Sequence, residues 1–262
     1  MTKLLFAIIL ILSISIPASA QYTTLNVHSH NDYEQTNPFS MAYNAHFGSI
    51  EADIWLVDKQ LRVAHTKTDL TSAKTLDSLY ILPIVKLFRT NGGKAWNDNT
   101  STYQLMIDLK TAAEPTLSLL VEKLSHYPDV FDPKVNKNAV RIVITGNRPE
   151  PSEFSRYPTF IFFDGNINRK YDNSELKRIA LYSENFAQFT SWKGMSELQE
   201  KEEQRLKQII DSVHSLDKKI RFWNAPDTPS AWKTLMNLKV DYLNTDHIGE
   251  LSTYLNKTNS AN

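Results

Sequence analysis

The chain has 262 residues, 29 Lys and Arg against 29 Asp and Glu, seven His and no Cys, and 41% of it is hydrophobic. Balanced charge provides no global field for nucleic acid or an anionic membrane, so no nucleic-acid partner is expected and any phosphate recognition has to be local. The lack of cysteine excludes disulfides, thiolate metal sites and thiol lipidation, and about 240 residues can bury a core without such staples.

The chain opens on "MTKLLFAIILILSISIPASAQ", a Lys followed by an apolar run from Leu4 to Ile16 and the small residues Ala18-Ser19-Ala20. This is the pattern of a signal peptide over residues 1–20, which predicts an exported protein, periplasmic or secreted, beginning at Gln21. The run is shorter than the roughly 20 apolar residues that span a bilayer, with an uncleaved anchor as the alternative. Strand-length apolar runs follow at 24–30, 48–56, 103–110, 139–147, 159–165, 179–185, 219–225 and 240–246, each bounded by Gly, Asn, Asp or Pro. A short extended segment, "QLRVAH", can fold back on 48–56 through a turn at Asp58-Lys59. Amphipathic helices are expected at 114–127, at 196–216 with a solvated charged face, and at 230–238 behind a Ser cap. Eight strands alternating with helices predict a single-domain α/β fold, a (β/α)8 TIM barrel over 21–256, with a doubly wound open sheet as the alternative. Residues 89–101 read as the longest loop and 257–262 as a flexible tail.

Side chains two apart on a strand share a face. Glu51 and Asp53 therefore project together, and Asp108 and Lys110 repeat the arrangement in "MIDLK". In a barrel these four charges lie on the inner face near the strands' carboxyl ends, where active sites sit. Clustered carboxylates take up protons unless a cation neutralises them, and oxygen ligands without cysteine suit one divalent cation, Mg²⁺ or Ca²⁺. The plainer reading is an ion pair between Lys110 and Glu51 or Asp108. His30 ends the first strand and His65 follows the fold-back segment. Two imidazoles beside a cation suit phosphodiester cleavage, one accepting a proton from the attacking hydroxyl and the other protonating the departing alkoxide, with Lys110 balancing phosphate charge. His28 reads as a residue that orients a neighbour or caps the barrel. His46, His126, His214 and His247 read as surface or helix-end residues.

The ordered set His30, Glu51-x-Asp53, His65 and Asp108-x-Lys110 resembles the glycerophosphodiester phosphodiesterase-like superfamily, which includes phosphatidylinositol-specific phospholipase C-type barrels and spider-venom sphingomyelinase D. "HSHNDY" with "SIEADIWL…LRVAH" is most similar to the subgroup of fungal altered-inheritance-of-mitochondria-6 proteins, and "IDLKT" is similar to the venom enzymes. The resemblance implies a phosphoric diester hydrolase in which His30 and His65 are the acid/base pair, Glu51, Asp53 and Asp108 hold one divalent cation, and Lys110 meets the phosphate. Trp223 is then either a pocket wall or a core aromatic. Where the glycerophosphodiester enzymes carry His-Arg-Gly, this chain has His30-Asn31-Asp32, so Asn31 stands where a phosphate-binding Arg is absent. The implied substrate is a small-molecule or lipid phosphodiester, with any transient membrane contact through barrel-top loops such as 89–101. The sequence leaves open hydrolysis against cyclic-phosphate formation, and the oligomeric state.

Two other readings use the same residues. A His28-x-His30 pair ending a first strand also fits metal hydrolases of the amidohydrolase and polymerase-histidinol-phosphatase types, although "FFDG", "YSEN" and "FWNA" supply none of the later histidines these need. A non-catalytic barrel that binds a phospho-ligand is the third.

Overall fold

A computed structural model describes residues 21–97 and 101–260. The leader expected over 1–20 lies outside the described residues. The strands are β1 (Val27–Ser29), β2 (Ser49–Val57), β3 (Gln60–Val63), β4 (Gln104–Leu109), β5 (Arg141–Gly146), β6 (Ile161–Gly165), β7 (Ile179–Asn185), β8 (Lys219–Trp223) and β9 (Leu243–Thr245). Eight of them form one parallel wall in the order β8-β7-β6-β5-β4-β2-β1-β9, and β3 pairs antiparallel with β2 as the fold-back segment. An isolated bridge between Arg221 and Tyr242 brings β8 against β9, so the wall is a near-closed barrel. The barrel expected from strand–helix alternation is the one observed.

Parity along each strand separates helix-facing from interior residues. Ile50, Ala52 and Ile54 of β2 and Leu105, Ile107 and Leu109 of β4 belong to the large core between barrel and helices. Burial of each aliphatic side chain of this kind contributes about 1.5–3 kcal/mol. The helices of that layer are α1 (Ser40–Asn44), α2 (Leu82–Thr90), α3 (Ala113–Ser125), α4 (Pro128–Phe131), α5 (Asn173–Leu176), α6 (Glu200–His214), α7 (Pro229–Asn237) and α8 (Ile248–Ser260). In α6 only Leu206, Ile210 and Val213 are buried, one stripe at helical spacing, and the charged residues around them stay in solvent. On the interior, Met106, Val143, Leu181 and Tyr242 form a separate apolar cluster. Met106, Val143 and Leu181 lie two residues before Asp108, Thr145 and Ser183. An apolar plug therefore floors the barrel, and the next level towards the strands' carboxyl ends is polar.

Several local expectations shift. Helix α2, a stretch to which the sequence reading gave no element, runs on directly from a π-helical turn at Asp77–Ile81, and Pro83 lies just past that junction. Thr228, not Ser230, caps α7, its side chain accepting from the Ala231 N–H. The tail expected from 257 is helical through Ser260, because Ile248, Leu251 and Leu255 bury one face of α8.

Candidate active site

The opening motif "HSHND" resolves into distinct jobs. Asn31 adopts a left-handed conformation (φ 43°), which turns the chain sharply after β1. Asp32 locks that turn from inside, accepting from Ser29 Oγ (2.9 Å), the Phe39 N–H (2.5 Å) and Tyr80 OH (2.9 Å). The turn leaves His30 and Asn31 on the wall of a cavity of about 480 Å³ at the barrel mouth. It also delivers Tyr33, whose hydroxyl lies 2.8 Å from Asp53 Oδ2, 2.9 Å from Asn31 Oδ1 and 3.1 Å from His65 Nδ1.

His28 is fully buried and does not face the cavity with His30. Gln104 Nε2 donates to Ser49 Oγ (3.0 Å), which leaves the serine proton for His28 Nδ1 (2.7 Å). The ring proton is then on Nε2 and donated to Glu51 Oε2 (2.7 Å). Burial first, and then the neighbouring Arg221 charge, brings His28 down to about 3, so the ring is neutral at pH 7. With both nitrogens engaged inside the barrel, the His28-x-His30 chelate of the amidohydrolase reading does not form.

Parallel pairing sets Asp53 of β2 opposite Asp108 of β4, with Glu51 two residues deeper on the same face. One oxygen from each of the three lies within 4.8 Å of the others. Burial and then the charges of Glu51 and Asp108 push Asp53 up to about 6, and burial also raises Asp108. Lys110 Nζ lies 2.9 Å from Asp53 Oδ2 and 3.1 Å from Asp108 Oδ2. It does not pair with Glu51, whose partner is Arg221 (Nη1 to Oε2, 3.1 Å). Burial works against the Glu51 charge, but Arg221 and the His28 hydrogen bond outweigh it and hold the carboxyl well below its usual range. Asp53 Oδ1 is buried without a hydrogen-bond partner. An oxygen-only donor set with an orphaned carboxylate atom fits a hard divalent cation.

The two remaining histidines line that same cavity. His30 Nδ1 lies 2.9 Å from Asp246 Oδ1, and its backbone N–H donates to Thr245 O. Burial disfavours the imidazolium, but the hydrogen bond to Asp246 and the Glu51 charge raise His30 above its ordinary 6.5. His65 is set by the β2–β3 hairpin: the Ala64 N–H donates to Asp53 O, and Trp55 Nε1 donates to Ala64 O. Trp223 is 40% exposed and lines the cavity, so it is a pocket wall and not a core aromatic.

Four neighbours of the site escaped the motif reading. Arg221 is 3% exposed and joins Glu51 to Asn244 Oδ1 (3.2 Å) and Ser183 Oγ (3.1 Å), with Nη1 also against His28 Nε2. Tyr33 bridges Asp53 and His65. Gly146 has φ 69°, and a Cβ there would fall 2.1 Å from Asp108 Oδ1. Asp164 lines the same cavity from β6, two strands along from Asp108. The available signal was parity: an inward charge in the apolar strands "KIRFW" and "IFFDG" is expensive unless it serves a site.

The chain is thus a near-closed parallel barrel that carries its acidic group at the carboxyl ends of β2 and β4. The crystal structure of a glycerophosphodiester phosphodiesterase from Parabacteroides distasonis shares this fold, with a TM-score of 0.52 and 14% identity over 89% of this chain and 97% of that one. Residues 17–164 match the AIM6-like phosphodiesterase domain, and residues 219–249 match the Glycerophosphoryl diester phosphodiesterase family. The chain belongs to the AIM6-like phosphodiesterase domain family. Similar full-length proteins include Altered inheritance of mitochondria protein 6 of Eremothecium gossypii, 27% identical over 275 residues (87% of this chain, 69% of that one). The homolog from Arthroderma benhamiae is 26% identical over 260 residues (87% and 83%).

Proposed function

We propose that this protein is a metal-dependent phosphodiesterase that cleaves a glycerophosphodiester or a phospholipid-type phosphodiester, with two histidines as acid and base. The observation that carries the reading is convergence: three carboxylates gather within 4.8 Å in the same cavity that His30 and His65 line. Glu51, Asp53 and Asp108 would hold one Mg²⁺ or Ca²⁺, which when bound supplies positive charge to a phosphoryl oxygen.

The chain's own groups account for the rest. His30 donates its Nδ1 proton to Asp246, which leaves Nε2 as the nitrogen available to the cavity. Its raised pKa suits the acid that protonates the departing alkoxide. His65 then takes the proton of the attacking hydroxyl, oriented by Tyr33 against Asp53. Lys110 stabilises phosphate charge from the rim of the acidic group, Asn31 contributes an uncharged contact, and Trp223 closes one side. The attacking hydroxyl belongs to water or to the substrate itself. Phosphorus NMR of the products separates these, because only the second route releases a cyclic phosphate.

The experiment is turnover of a generic phosphodiester with Mg²⁺ or with EDTA. EDTA is expected to abolish activity, and His30→Ala and His65→Ala each to lower kcat at least about 100-fold. Full activity in His65→Ala would exclude the two-histidine chemistry. The apolar leader supports export, and amino-terminal sequencing of the mature protein is expected to begin at Gln21.

A further inference from the structure

The barrel has a second mouth, at the amino-terminal ends of its strands, where a barrel's side chains ordinarily serve stability. Parity carries the inner face down to it: Arg141 lies two residues before Val143 on β5, and Lys219 two before Arg221 on β8. Both stand beneath the apolar plug. The Arg141 guanidinium lies over the Phe162 ring (5.4 Å), and Lys219 Nζ lies over the Tyr242 ring (4.8 Å) and 3.3 Å from its hydroxyl. Tyr242 belongs to the plug, and Phe162 packs against it. Lys177 at the end of α5 and Lys218 in the turn after α6 join them around a cavity of about 220 Å³, backed by Phe162, Ile179 and Ala180.

Four cations thus face one small space, and Asp217 is the one acid among the described residues that lines it, which leaves three positive charges unbalanced. Among the described residues none of the four cations forms an ion pair with a carboxylate. Burial lowers Lys218 from its ordinary 10.5; Asp217 pulls it back up and the Arg141 charge pushes it down again, so the two cations are near enough to repel. The carboxyl end of α6 attracts a cation such as Lys218, whose N–H donates to Val213 O in that helix. Arg141 and Lys219 start strands and have no such attraction. An aromatic face holds each of them singly, but their convergence with two more cations is repulsive unless an anion lies between them.

We infer that this second cavity is an anion site for a phosphate monoester group, separate from the catalytic mouth. A monoester dianion matches the surplus positive charge better than a singly charged diester or carboxylate. Its terminal oxygens accept from the planar Arg141 fork and from lysines arriving on two other segments. Two sources present that group: a soluble phosphate monoester and the phosphatidic acid headgroup of a membrane surface. The site stands whatever chemistry the other mouth performs.

Calorimetric titration with inorganic phosphate in EDTA, with no cation on the acidic group, reads this site. Saturable binding is expected, displaced by sulfate and not by acetate. Combining Arg141→Gln with Lys219→Gln, both exposed side chains, is expected to weaken it at least tenfold. Arg141→Lys, which keeps the charge and loses the fork, is expected to weaken it at least threefold and serves should the double variant fail to fold. Lys110→Gln, in the catalytic cavity, is expected to stay within twofold of wild type. No saturable binding, unchanged affinity in a folded variant at the second mouth, or an equal loss in Lys110→Gln overturns the site. Flotation with phosphatidylcholine vesicles carrying phosphatidic acid or phosphatidylglycerol separates the sources. Binding to the phosphatidic acid vesicles alone, released by phosphate, identifies the lipid, and phosphate binding without vesicle binding identifies a soluble ester. Equal binding to both vesicles overturns the preference for a monoester.

Discussion

Replacing Gly146 with alanine perturbs Asp108 without touching any charge. The substitution has two separable costs. The first is backbone: at φ 69° a Cβ meets the following carbonyl, which costs about 1–2 kcal/mol. For a domain of this size that lowers Tm by roughly 2–8 °C. The second is steric: the new Cβ falls 2.1 Å from Asp108 Oδ1 and 2.8 Å from Leu109 O, so the carboxylate has to retreat by about 1 Å or more. Gly92 isolates the first cost, because it has φ 66° and a Cβ there meets nothing within 4 Å. In EDTA, Gly92→Ala is therefore expected to show the backbone cost alone and Gly146→Ala a larger loss of Tm, because it adds the steric one. Only Gly146→Ala is expected to weaken Mg²⁺ or Ca²⁺ binding, by about 10–100-fold, the usual effect of disturbing a ligand's support. Calorimetric titration with each cation and the cation-induced rise in Tm provide the readouts. Wild-type cation affinity in a folded Gly146→Ala variant would refute the role given to Asp108.

Two further outcomes follow from the same geometry. Arg221→Met leaves the buried Glu51 charge without its cation and is expected to cost about 3–5 kcal/mol, seen as a fall in denaturant midpoint. Adding Glu51→Gln should recover part of that loss, and strict additivity of the two changes would show that the pair is not coupled. The His30–Asp246 pair gives a pH signature. Folding raises His30 above 6.5, so the pair's contribution is full below that value and is lost as pH rises through the folded pKa. In EDTA, the Tm difference between wild type and Asp246→Asn is expected to be largest near pH 5.5 and to shrink towards pH 8.5. A difference that grows with pH would contradict the assignment.

Strand–helix alternation was enough to read the barrel, and period-two parity to pair Glu51 with Asp53 and Asp108 with Lys110 from the chain alone. Each depends on local backbone geometry: two residues on one strand share a face whatever the rest of the protein does. The same logic fell short for "HSHND". Parity puts His28 and His30 on one face, but not at one depth, and depth separates a ring braced by Ser49 and Glu51 from one that lines the cavity. The sequence reading places no helix after 246 and a flexible tail at 257–262, because the polar carboxyl-terminal turn of α8 hides a face buried through Leu255.

By itself, then, the sequence determined the strand–helix alternation, the acid pair on β2 and the acid–lysine pair on β4, since these follow from spacing along single segments. Only the tertiary structure decided which charges meet. Arg221 reaches Glu51 across 170 residues of chain, and Gly146 lies against Asp108 because β4 and β5 pair in one register and not another. Barrel closure and register are global packing outcomes that no short segment encodes. Asp164 is the same case: it accepts from Thr145 Oγ1 (2.9 Å) at the cavity wall only because β5 and β6 lie side by side.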